Sequence, residues 1–214
     1  MAYRKVVLAE GEIYHTLNRG VGGTGIFLDG RDYQRFIEAM VYYQLQNPPA
    51  GFAQFRSNRE RYPINDKKKL VEILVYCLMP THFHFGLKQL SSDGISLFIK
   101  RLLDSHARYF NTRHSRKGHL FEGNFKAVRV ETDEQLLHLS RYIHLNPITD
   151  FLVKDLKEYP YSSYLEYLGL AKTQIVDRDF VLSFFKTPKV YEEFVLSQVD
   201  YQRKLKEIER LLLE

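Results

Sequence analysis

The apolar and polar positions of this 214-residue chain fall into segments of two periods. Residues 12–18 alternate, with Tyr14, Thr16 and Asn18 on one side and Ile13, His15 and Leu17 on the other, as a strand requires. A flexible loop with Gly20, Gly22, Gly23 and Gly25 follows, then the short apolar piece Ile26-Phe27-Leu28. Asp29 is a good N-cap with Asp32 in the first turn, and Tyr33, Phe36, Ile37, Met40 and Val41 recur at helical spacing until Pro48-Pro49. Residues 48–69 are polar and basic with no period and predict a loop. Residues 70–78 form a continuous apolar, β-branched run, the best central strand, and the pattern resumes after Met79-Pro80-Thr81 through Phe83, Phe85 and Leu87. Ile95, Phe98, Ile99, Leu102, Leu103, His106, Tyr109 and Phe110 predict a second amphipathic helix. After a turn-rich stretch, residues 125–130 alternate enough for a strand. Thr132 and Gln135 then fit a capping box before the stripe Leu136, Leu139, Ser140, Ile143, which Pro147 should end. Residues 178–185 and 191–213 also read as helical.

This order, β-(β)-α-β-β-α-β-α, predicts an α+β fold. The nearest arrangement is a ferredoxin-like antiparallel sheet with helices packed on one face. We divide the chain into a domain of residues 1–170 and a C-terminal helical extension, 171–214. No internal repeat or low-complexity tract is present.

Composition narrows the function. With 44% hydrophobic residues and a mean hydropathy of −0.34, the chain can bury an ordinary core. No apolar stretch approaches the roughly 20 residues of a membrane span, and the N-terminal apolar run is too short for a signal peptide. A cytoplasmic, nucleoid-associated protein is therefore expected. The single Cys77 sits in an apolar run and rules out a disulfide framework or a cysteine-based zinc site. A net charge of +5 is modest, but its distribution is uneven. Lys100, Arg101, Arg108, Arg113, Arg116, Lys117, Lys126 and Arg129 are interleaved with Tyr109, Phe110, His114, His119, Phe121 and Phe125, against only Asp104 and Glu122. Cations for phosphates and flat rings for bases are what a groove for unpaired nucleotides needs. The same stretch also fits a solvated helix end followed by a basic loop.

Two motifs carry candidate chemistry. In a strand, His82 and His84 point to one side while Phe83 and Phe85 point to the other, so two neutral imidazoles could share one divalent ion. One half-buried and one solvated histidine would give the same spacing. Tyr142 and Asn146 stand four residues apart, about 40° around a helix, on the flank beside the core stripe. They could supply a nucleophile and a third metal ligand. A carboxamide next to Pro147 could equally cap carbonyls, and a tyrosine could equally pack. A phenol is a weak nucleophile at neutral pH, and a metal that draws charge from a phosphate would help it. A phosphotyrosine diester would keep the energy of the broken bond for rejoining.

The blocks Tyr14-His15-Thr16-Leu17-Asn18-Arg19-Gly20, Leu78-Met79-Pro80-Thr81-His82-Phe83-His84, Gly118-His119-Leu120-Phe121-Glu122-Gly123, Leu139-Ser140-Arg141-Tyr142-Ile143-His144-Leu145-Asn146-Pro147 and Tyr161-Ser162-Ser163-Tyr164 occur in that order. Through them the chain resembles the single-tyrosine HUH transposases, in particular the REP-associated (IS200-like) tyrosine transposases. The resemblance implies a ferredoxin-like catalytic domain and a divalent metal, Mg²⁺ or Mn²⁺. It matches His82 and His84 to the metal pair, Asn146 to the third ligand and Tyr142 to the nucleophile. It also implies nicking of single-stranded DNA beside a hairpin, leaving a 5′-phosphotyrosine and a free 3′ hydroxyl. Thr81 replaces the family's usual Asn, and Asn124 stands where a basic residue often follows Gly123.

The expected function is thus a metal-dependent single-strand DNA endonuclease and strand-transferase, acting on single-stranded or hairpin DNA as a monomer or homodimer. The candidates for DNA contact are Arg19, Lys100, Arg101, Arg108, Arg113, Lys117, His119, Lys126, Arg129 and Arg141. The alternative is a domesticated protein that binds hairpin DNA or RNA without cleaving. A hydrolase of small phosphate esters ranks last, having no need of a basic, aromatic groove.

Overall fold

The alternating segments pair into one four-stranded antiparallel sheet in the order β2-β3-β1-β4. This computed structural model describes residues 7–64, 66–172 and 174–204. The strands are β1 (Ile13–Arg19), β2 (Val71–Leu78), β3 (His82–Gln89) and β4 (Lys126–Val130). The β2–β3 hairpin and the two crossing helices, α1 (Gly30–Tyr43) and α3 (Gly94–Arg113), complete the βαββαβ order expected of a ferredoxin-like sheet. Within the polar segment 48–69 there is one short helix, α2 (Phe52–Ser57), too brief for a periodic signal. Ile26-Phe27-Leu28 forms no strand; Ile26 and Phe27 donate their N–H groups to the Pro80 carbonyl at 2.8 and 3.2 Å.

The expectation of helices on one face alone is corrected. Phe83, Phe85 and Leu87 of β3 are fully buried on the side covered by α1 and α3, where Phe36 and Phe98 meet them. On the opposite side lies α4 (Asp133–Thr149), whose Ile143 packs with Val75 and Cys77. The cause is the double-sided burial of β2. Ile73, Tyr76 and Leu78 face one way, Val75 and Cys77 the other, across a register shift between Ile73 and Val75. A strand apolar on both sides needs cover on both. Cys77, set in the apolar run of β2, is a buried free thiol, and burial pushes its pKa well up.

Helix α4 passes through Pro147 instead of stopping there. Proline cannot serve the Ile143 carbonyl, and the Asn146 amide does so instead, donating to Tyr142 O at 2.9 Å and Ile143 O at 3.4 Å. At the other end Thr132 Oγ1 accepts from Gln135 N at 3.1 Å, and Gln135 Oε1 accepts from Glu131 N at 2.7 Å. The C-terminal residues are built onto α4. Past α5 (Tyr164–Tyr167) and α6 (Asp179–Leu182), Tyr191 of α7 (Pro188–Leu196) bonds His144 Nδ1 at 2.8 Å, and His144 Nε2 meets Ser163 Oγ at 2.7 Å. Residues 205–213 of the predicted last helix lie outside the described residues.

One core histidine sets a pH limit on this packing. His106 of α3 is 2% exposed among aromatic rings and bonds the Ile26 carbonyl through Nε2 at 2.8 Å, while its Nδ1 has no partner among the described residues. Burial pushes its pKa down to about 4. The unfolded chain, with histidine near 6.5, therefore takes up the proton first as the pH falls. The stabilising contribution is complete above pH 6.5 and shrinks toward pH 4. Between pH 7.5 and 5 the loss from this one residue is about 2 kcal/mol. Urea unfolding of His106→Leu at the two pH values should show a fall smaller by that amount than in the wild type. An unchanged pH dependence would exclude His106 as a contributor.

Candidate functional site

Strand pairing, not sequence proximity, assembles the site. In the β1–β3 register Leu17 lies opposite His84 and Arg19 opposite His82, so these four side chains share the α4 face. The His82 and His84 rings are 5.0 Å apart and perpendicular. Each is held through Nδ1: His82 by Thr81 Oγ1 at 3.0 Å, His84 by His15 Nε2 at 3.0 Å. His15 stacks on His84 with ring centres 5.2 Å apart. Burial pushes the His15 pKa down to about 4, so at neutral pH this ring carries no charge.

Helix α4 packs over Gly86, which has no side chain to hold it off the sheet. A Cβ there would stand 2.7 Å from Val75 Cγ1, and Leu139 of α4 lies 3.8 Å from the same point. One turn further along, Tyr142 sets its ring edge to His84 at 5.6 Å and to His15 at 6.1 Å. Its side chain is 42% exposed, against 5% for His84. A phenol with that exposure beside two imidazoles is accessible to a large substrate. Asn146 is buried, with its amide nitrogen committed to the helix carbonyls described above. Its Oδ1 is the only atom a metal could use. Among the described residues no group of three or more His, Cys, Asp or Glu side chains is arranged to hold a metal ion. A metal here would need the carboxamide, the substrate or water to complete its shell.

Loop contacts close the site at its open end. Gly20 N donates to Thr81 O at 2.8 Å, Val21 N to Leu120 O at 3.1 Å, and Glu122 N to Arg19 O at 2.8 Å. Three of the sequence blocks therefore meet at the end of β1. Gly20 is required there, since a Cβ would fall 2.0 Å from Thr24 O. Arg19 is paired with Glu122 at 2.5 Å, and Lys126, opposite Leu17 in β4, lies on the same sheet face. With Leu17, Asn18 and residues 122–124 they line an open cleft of about 230 Å³. A second groove, of about 500 Å³, lies between α3 and residues 118–125 and includes Lys100 and His119.

The other basic candidates separate by what already holds them. Arg101 donates to Leu45 O and Gln46 O at 3.3 and 3.1 Å, fastening the end of α1. Arg113 spans Asp29 and Asp32, both at 2.5 Å, with Asp32 fully buried. These two guanidinium groups are engaged in tying helices together. Arg129 pairs with Glu12 at 2.8 Å, and Arg141 lies over the Phe194 ring at 4.4 Å. Lys100 pairs with Asp104 at 2.6 Å on an exposed surface, where such pairs exchange readily. Arg108 keeps its side chain exposed and donates to the Asp104 carbonyl at 3.2 Å. Lys117 is exposed in the turn after α3. His15 was missed by sequence reasoning, which saw a strand residue with no distinctive spacing. Its only signal was its side of β1.

Comparison with known proteins agrees with this architecture. Residues 61–146, which include His82, His84, Tyr142 and Asn146, match the family model described as "Transposase IS200 like". A Haemophilus influenzae protein provisionally named a REP-associated tyrosine transposase is 26% identical over 121 residues, 51% of this chain; the match spans 64% of that relative's length. The solved structure of a REP-associated tyrosine transposase bound to a REP hairpin superposes with a TM-score of 0.56. It does so at 15% identity, covering 83% of this chain and 98% of the other, and so shares the fold. No helix among the described residues is long and apolar enough to cross a membrane. The resemblance read from the motifs is borne out: residues 61–146 are similar to the IS200-like transposase family, and the fold is that of a REP-associated tyrosine transposase.

Proposed function

We propose that this protein cuts and rejoins single-stranded DNA beside a hairpin through a bond between Tyr142 and the 5′ phosphate. The observation that carries the reading is the exposed Tyr142 ring, edge-on at 5.6 Å to the His84 of a two-imidazole pair. His82, His84 and the Asn146 Oδ1 would hold one Mg²⁺ or Mn²⁺. With Nδ1 of both rings committed to Thr81 and His15, Nε2 is the atom each would present. When bound, the ion supplies electrophilic activation of the scissile phosphate and neutralises its equatorial oxygens.

The chain's own groups do the rest. Tyr142 Oη forms the new bond to phosphorus while the bond to the 3′ oxygen breaks; the phenol gives up its proton and the 3′ oxygen gains one. The neutral His15 ring accepts the Nδ1 proton of His84, which fixes the tautomer with its lone pair on Nε2. Arg19 and Lys126 flank the pair and attract the strand's phosphates. The energy of the broken diester stays in the phosphotyrosine, so the 3′ hydroxyl can reverse the step.

One observation favours the non-cleaving hairpin binder. The Asn146 amide is spent on Tyr142 O and Ile143 O, leaving the carboxamide little freedom to turn. The two readings part on a denaturing gel. Hairpin-containing single strands, labelled at either end, are incubated with the protein and Mn²⁺ or with a chelator. Cleavage predicts a protein-linked band that carries the label 3′ of the nick and disappears with the chelator. A binder gives neither band nor nick.

A further inference from the structure

On the sheet face away from Tyr142, a groove of about 680 Å³ opens between α1, α2 and the C-terminal half of α3. Its floor is Arg35, 9% exposed, whose guanidinium carbon lies over the Phe52 ring at 4.8 Å and the Tyr109 ring at 4.6 Å. Arg35 NH1 is buried with no hydrogen-bond partner among the described residues. Among the described residues no carboxylate lines the groove. The acids around it are committed elsewhere: Glu38 to Arg56 at 2.7 Å, Asp104 to Lys100 at 2.6 Å, and Asp29 and Asp32 to Arg113. A guanidinium is costly to bury without a counter-charge. Stacking over two rings offsets part of that cost and fixes the plane of the fork, but it satisfies none of the N–H donors.

The walls supply what an anion of one kind would use. Arg108 brings a second, exposed cation, and Ser105 and Thr112 bring hydroxyl donors. Phosphate is a tetrahedral anion with several acceptor oxygens, and a fixed guanidinium fork suits two of them. We propose that this groove is a phosphate-binding site, separate from the cleavage centre, and that its phosphate belongs to the backbone of a bound nucleic-acid strand. The phosphate chemistry stands on the groove alone; the strand as its source rests on the function proposed above.

The test uses Tyr142→Phe protein in chelator, so that no cleavage intervenes, with ¹⁵N-labelled arginine side chains observed by NMR. Inorganic phosphate, deoxyadenosine monophosphate and a single-stranded octanucleotide are titrated in turn. The proposal expects the Arg35 Nε–H resonance to move with phosphate and, at far lower concentration, with the octanucleotide. Arg35→Met and, separately, the exposed Arg108→Ala should each weaken octanucleotide binding about tenfold and lower the salt dependence by about one unit of slope. A mononucleotide that binds as tightly as the octanucleotide would overturn the strand as source. A silent Arg35 resonance with every probe, or unchanged affinity and slope in the Arg108 variant, would overturn the site. If the octanucleotide binds while Arg35 stays silent, only the groove fails. If the octanucleotide does not bind at all, the nucleic-acid function fails, and the phosphate titration still reports on the groove.

Discussion

Tyr142→Phe is expected to abolish nicking and the protein–DNA adduct while leaving hairpin affinity within about twofold of wild type. The substitution removes one oxygen from a side chain that is 42% exposed, so the change in stability should stay within about 0.5 kcal/mol. The phenylalanine ring would keep its edge contacts with His84 and His15. What disappears is the proposed nucleophile. Loss of the attacking atom typically costs several orders of magnitude in rate. The comparison is made on one gel, with binding measured in parallel by anisotropy. A Phe variant that still yields adduct would move the nucleophile to another residue.

The second large effect is expected at the proposed metal pair. His84→Ala should lower Mn²⁺ affinity by at least about 100-fold, because it deletes one of the two proposed imidazole ligands and strips His15 Nε2 of its partner. His15→Asn leaves both proposed ligands in place and removes only the ring that orients His84. Its cost should be intermediate, on the order of 10- to 100-fold. Mn²⁺ titration followed by electron paramagnetic resonance reads both directly, without DNA and without turnover. An affinity insensitive to His84 would remove it from the metal site. An insensitive His15 variant would reduce that residue to packing.

Much of this architecture is legible in the sequence, for physical reasons. Period-2 alternation in β1 and the long apolar run of β2 are local signals, and the Asp29 and Thr132 caps mark the starts of their helices. The placement of α4 was not read, although β2 carries the clue: a strand apolar on both sides, with Glu72 its only charged residue, cannot leave one side to water. The fate of each arginine was illegible, since Arg101 and Arg113 find their partners 56 and more than 80 positions away. His15 and Arg35 matter through contacts that appear only when β1 registers on β3 and when α2 and α3 pack against α1. Asn146 shows the opposite case. Its capping of the helix could be anticipated from the adjacent Pro147, and the structure displays that capping.

Whether Tyr142 carries the DNA is best decided by locating the linkage itself. Adduct formed with a hairpin-containing strand and Mn²⁺ is digested with nuclease and protease, and the nucleotide-bearing peptide is sequenced by mass spectrometry. The account predicts a single modified peptide with the 5′ phosphate on Tyr142. A phosphate found on another of the chain's tyrosines, or cleaved DNA with no modified peptide, would contradict it.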